Sequence, residues 1–175
     1  PVGSLSFKGY EQIEFSASGK LFAAAANEEV KLFDLKATEL GSVKVRGTIH
    51  SIGLSPDDSV LIINHGEKGM LSVFNTTDQT LVQEFKPAEP LIAGDIEIVS
   101  DLEVFLFGVK TSTEKGIFQW AIGSEEVKNI KDSPTSLPNA FDSVNNRMAY
   151  VSEDIQEIYL FDMKSGQKST VDIVR

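Results

Sequence analysis

"IGLSPDDSVLIINHGEKGMLSVFNTTDQTLVQEF", residues 52–85, is the stretch whose reading decides the fold. It divides into four short apolar segments separated by turn formers. Pro56 pre-sets φ in "SPDDS", and Gly66 and Gly69 punctuate "HGEKG". The second segment, "SVLIIN", is apolar on both faces instead of alternating, as in a strand enclosed between neighbouring sheets. Nothing in the stretch keeps helical spacing for three turns. Four strands joined by tight turns is the reading.

The same order recurs at residues 13–45, 96–130 and 140–174. Third-strand aromatics fall at Phe33, Phe74, Trp120 and Phe161, and first-strand anchors at Phe15, Leu54, Ile98 and Phe141. The aromatics are 41, 46 and 41 residues apart. A period of about 40–45 residues with four strands per unit predicts an all-β chain of β-propeller blades, each of four antiparallel strands. "KLFAAAAN" puts four alanines on one strand, which suits a close approach of sheets, whereas "SVKVR" and "TVDIV" alternate like outer, half-solvated strands.

Residues 2–9, "VGSLSFKG", align with residues 40–47, "LGSVKVRG", the outer strand of the first unit. The expected division is therefore residues 1–10 as the outer strand of a preceding blade, then blades at 11–47, 48–88, 89–132 and 133–175. Three arrangements follow from the surplus strand: a longer propeller, a partner chain that covers the open blade faces, or a closed ring of four.

Residues 48–82, "TIHSIGLSPDDSVLIINHGEKGMLSVFNTTDQTLV", resemble a WD-repeat blade. "VKLFDLKATEL" and "IYLFDMKSGQK" resemble that family's aromatic–Asp strand ending, at Phe33-Asp34 and Phe161-Asp162. The chain departs from the family pattern before the first strand, where Gly9 and Gly47 stand without the Gly-His dipeptide. The resemblance implies a propeller scaffold that docks other proteins through its loops. An enzymatic propeller of the lactonase or hydrolase type, with its site in the central channel, is the alternative.

Composition narrows the chemistry. Cysteine is absent, which removes disulfides, thiol nucleophiles and thiolate zinc sites, and leads to an intracellular, cytoplasmic expectation. The net charge is −10, from 26 acidic and 16 basic residues. Counted along the chain, the cations are spread out, so neither nucleic acid nor a membrane surface is an expected partner. No cofactor is expected either: there is no glycine-rich phosphate loop and no Gly-x-Ser-x-Gly elbow.

The individual candidates have plainer explanations. His65 with Glu67 resembles half a metal site, but a turn containing Gly66 and Gly69 accounts for the same letters. Asp57 and Asp58 offer too few oxygens for calcium. Asp95 and Glu97 share one side of a strand and are expected on a solvated rim. Trp120 is expected in the core.

In WD-like blades the loops before the first strand and between the second and third strands share one rim. Here that rim would carry Tyr10, Glu11, Asn27, Glu28, His50, Glu67, Lys68, Thr111, Glu114, Asp154 and Gln156. It is acid-leaning and suits protein partners with basic or polar docking surfaces.

Overall fold

The computed structural model describes residues 9–99, 103–110, 114–130, 133–134, 140–142, 145–151 and 157–171. Sixteen strands form four antiparallel sheets of four, each built from consecutive strands. The first sheet is β1 (Gln12–Phe15), β2 (Leu21–Ala26), β3 (Glu29–Asp34) and β4 (Glu39–Lys44). The second is β5 (Ile49–Leu54), β6 (Val60–His65), β7 (Met70–Asn75) and β8 (Leu81–Phe85). The third is β9 (Leu91–Ile98), β10 (Glu103–Lys110), β11 (Glu114–Ala121) and β12 (Val127–Asn129). The fourth is β13 (Ala140–Asp142), β14 (Arg147–Val151), β15 (Ile158–Asp162) and β16 (Lys168–Val171). Each sheet is a propeller blade in topology, its strands ordered as they come in the chain. The repeat predicted from residues 52–85 is the repeat observed. The segment at residues 2–9 lies outside the described residues.

The second, third and fourth sheets each turn the same face toward the sheet before them. Phe74 packs with Ala23, Ala25, Val30 and Leu32 of the first sheet. Trp120 packs against Ile62, Leu71, Val73 and Phe85 of the second. Phe161 packs with Phe105, Phe107 and Ile117 of the third. All four third-strand aromatics, Phe33 included, are buried. In the second, third and fourth sheets this side chain fills the gap to the preceding sheet, while Phe33 packs with Phe22, Ala24 and Tyr10 of its own unit. Ala23 and Ala25 face the second sheet and have almost no bulk, so that sheet approaches closely.

The same rule corrects one expectation. Phe15 was aligned with Leu54 and Ile98, which are buried, yet Phe15 is 60% exposed. Its register is the expected one, opposite Phe22 on the face that also carries Phe33. Among the described residues no sheet lies against that face, so Phe15 rests only on Phe22, ring centroids 5.3 Å apart.

The sheets converge along their first strands. A Cβ at Gly53 of β5 would lie 2.7 Å from Ile96 Cγ2 and 2.9 Å from the Ile96 carbonyl oxygen of β9, so only glycine permits this spacing. Polar groups complete the junction. Asn64, fully buried, donates through Nδ2 to the carbonyls of Gly69 (2.9 Å) and Leu91 (3.1 Å) and accepts at Oδ1 from Ala93 N–H (3.0 Å). Ser51 Oγ donates to the Ala93 carbonyl at 2.8 Å.

The aromatic–Asp endings have a local cause. Asp34 Oδ1 accepts from Lys36 N–H and Thr38 N–H, and Asp162 Oδ1 from Lys164 N–H and Ser165 N–H. Asn75 does the same in the second sheet for Thr77 N–H. The acid after the aromatic caps the turn into the outer strand. Those bonds hold the carboxyls of Asp34 and Asp162 below their ordinary range.

Candidate functional site

The expected rim is built from turns that each sheet offers to the next. Asn27 occupies the left-handed region (φ 55°), which Asn tolerates better than most residues, and opens the β2–β3 turn. Glu28 then clamps the entry to the second sheet: its carbonyl accepts from Val45 N–H at 2.9 Å and its Oε1 from Gly47 N–H at 2.8 Å. The β6–β7 turn repeats this move, the Lys68 carbonyl accepting from Leu91 N–H at 3.1 Å. Gly69 (φ 66°) makes that possible, because a Cβ there would lie 1.8 Å from the Leu91 carbonyl oxygen.

Both histidines serve this scaffold. His50 Nε2–H donates to the Gly66 carbonyl at 2.7 Å, and the His50 carbonyl accepts from Gln12 Nε2. His65 is not a turn residue: it ends β6 and is buried. Its Nδ1 must donate to the Arg46 carbonyl (3.0 Å), which only accepts, leaving Nε2 to accept from Ser72 Oγ–H (2.8 Å). Both ring nitrogens are thus engaged, and the pairing of His65 with Glu67 as half a metal site does not form. Among the described residues no group of three or more His, Asp or Glu side chains could hold a metal ion.

Of the rim residues, Glu11, Asn27, Glu28, Glu67 and Lys68 are exposed, while Tyr10, His50 and Glu114 are half-buried. Hydrogen bonds link the first and second sheets' share of the rim directly. Glu114 starts β11, at the equivalent end of the third sheet, where Oε1 accepts from Asn129 Nδ2. Thr111, Asp154 and Gln156 lie outside the described residues.

A second feature was not expected. Asp95 and Glu97 do not stand on a solvated rim. They lie on the inner strand β9, mostly buried, and with Glu14 of β1 they form a group of carboxylates that feel one another's charge. Burial is the main cause of their behaviour: it pushes Glu14 up to about 7 and Glu97 up to about 8, and raises Asp95 as well. The nearby Asp95 charge adds to the rise at both glutamates. The expected solvated rim is corrected because β9, although the end strand of its sheet, packs against β5 of the second sheet, where first strands converge.

This has a measurable consequence. Above their ordinary value near 4.5, Glu14 and Glu97 stay protonated in the folded chain while the unfolded chain has released those protons. Stability therefore falls as pH rises from about 4.5 to about 8. Urea midpoints should decline across that window. Glu97→Gln should flatten the decline and be the more stable protein at the alkaline end. A variant profile parallel to that of the wild type would reject the assignment.

With this geometry in place, comparison with solved structures identifies the fold class: the chain has the fold of WD40 and other β-propeller domains. It matches the C-terminal WD40 domain of Sif2 at a TM-score of 0.62 and 16% identity, covering 93% of this chain and 58% of that one. The match to the Cps50 (Swd1) β-propeller domain of Myceliophteria thermophila has a TM-score of 0.65 and 11% identity, covering 95% and 55%. Hydrazine synthase of Kuenenia stuttgartiensis matches at 0.67 and 16% identity, covering 93% and 49%. No protein-family profile and no curated sequence matches the chain. The chain spans about half the length of these structures, and the likeness is one of fold.

Proposed function

We propose that this chain is a non-enzymatic interaction platform, a propeller scaffold that presents its turn-built rim to other proteins. One observation carries the reading. The rim backbone is fixed by hydrogen bonds within the first sheet, at its connection to the second, and from the second sheet to the third, while the side chains of Glu11, Asn27, Glu28, Glu67 and Lys68 project free of the core. A rigid frame with exposed, mostly acidic side chains loses little entropy on docking and favours basic or polar partner surfaces. Site-specific photo-crosslinking tests this. A photoreactive residue at Asn27 should yield discrete adducts in native extract, and the same residue at Thr77, an exposed turn elsewhere on the sheets, should not. Glu11→Lys with Glu28→Lys should abolish the Asn27 adducts. Equal labelling from both positions would reject the rim.

A second reading, an enzymatic propeller with acid–base groups in its channel, draws its support from Glu14 and Glu97. Carboxylates held protonated near neutral pH are typical of catalytic acids, and equally of crowded structural ones. The absence of the Asn27 adducts, combined with a turnover lost in Glu97→Gln, would favour it.

A further inference from the structure

A groove of about 840 Å³ lies on the flank of the first two sheets, between β4 and the β7–β8 pair. Four cations border it: Lys44, Arg46, Lys68 and Lys86. All four are exposed, and none has a carboxylate within 4 Å among the described residues. Glu67 and Glu84 also line the groove without pairing to these cations, so its lining charge is +2 in a protein of net charge −10. The field here opposes that of the molecule.

The groove is also elongated and partly apolar. It follows β8, five residues and roughly 17 Å long, with Lys86 just beyond the rim end and Leu81 at the other. Phe74 and Met70 form the floor, and Leu81 stands 52% exposed at the far end. Both bordering strands are sheet edges: among the described residues β4 pairs only with β3, and β8 only with β7. An edge offers unpaired N–H and C=O groups to an added extended chain. His65, buried beneath the groove, holds the Arg46 carbonyl and so fixes where that cation emerges.

We infer that this groove binds an extended acidic peptide of a partner protein, its carboxylates toward Arg46, Lys68 and Lys86 and an apolar side chain between Leu81 and Phe74. A small anion would satisfy the cations but leave the apolar half and the strand edges unused. A basic or neutral peptide would leave the cations unmet. The groove shares Glu67 and Lys68 with the rim but not Glu11, Asn27 or Glu28, and the inference holds whether or not the rest of the rim docks a partner.

Fluorescence anisotropy with a labelled peptide of about eight residues, acidic at one end and Leu/Phe-rich at the other, tests it in both sequence orders. One order should bind saturably, and more weakly as salt rises. Lys44→Glu with Arg46→Glu and Lys86→Glu should weaken binding at least about ten-fold. Leu81→Asp should weaken it through the apolar end, and Glu11→Lys, at a rim residue outside the groove, should leave it unchanged. No saturable binding in either order would overturn the inference. So would equal binding by the triple variant, or displacement by inorganic pyrophosphate at the peptide's own affinity, which would mark a simple anion site.

Discussion

Trp120→Ala should destabilise the protein by about 3–5 kcal/mol, the largest loss expected from any single aromatic truncation here. Trp120 has no exposed surface and fills the gap between the second and third sheets, stacked on Phe85 with ring centroids 5.4 Å apart. Its indole N–H donates to the Ser124 carbonyl at 3.1 Å, so truncation both opens a cavity and removes a donor. For a chain of this size the loss corresponds to a fall in Tm on the order of 10 °C. Trp120→Phe keeps most of the packing and should cost clearly less, about 1–2 kcal/mol. Calorimetry of the two variants decides the matter. Equal, small losses would mean that the sheets are not wedged apart at this position.

What could be read from the sequence was whatever repeats. Each unit places one aromatic on the same face of its third strand, so Phe33, Phe74, Trp120 and Phe161 recur, and all four are buried. Each must also cap the turn that follows, so an acid or amide recurs at Asp34, Asn75 and Asp162. Such patterns are local and survive in one dimension. Glu14 and Asp95 are 81 positions apart, and only the convergence of β1 and β9 gives them a shared, desolvated site. The cation groove was hidden in the same way. Lys44 and Arg46 belong to one unit and Lys68 and Lys86 to the next, and counts along the chain disperse what the fold gathers. The exposure of Phe15 was invisible for the opposite reason: its position in the repeat was right, and its burial depended on a neighbouring sheet.

The missing Gly-His dipeptide raises the question of what locks these sheets together. Asn64 supplies the lock between the second and third sheets. It satisfies one N–H and two C=O groups at once, at Ala93, Leu91 and Gly69, in a place with no exposed surface. Asn64→Ala would strand all three beside the small void left by the amide. Each buried, unsatisfied group costs about 1–3 kcal/mol, so the total loss should be about 3 kcal/mol or more. Asn64→Leu fills the void but leaves the same groups unmet, and should recover little. Asn64→Asp restores the acceptor for Ala93 N–H, yet sets a carboxylate against the carbonyls of Leu91 and Gly69, and should fare no better at neutral pH. Hydrogen exchange localises the effect. Ala93 N–H should lose protection in Asn64→Ala far more than amides in the centre of β6. If Asn64→Leu proved as stable as the wild type, the sheets would be held by apolar contact alone.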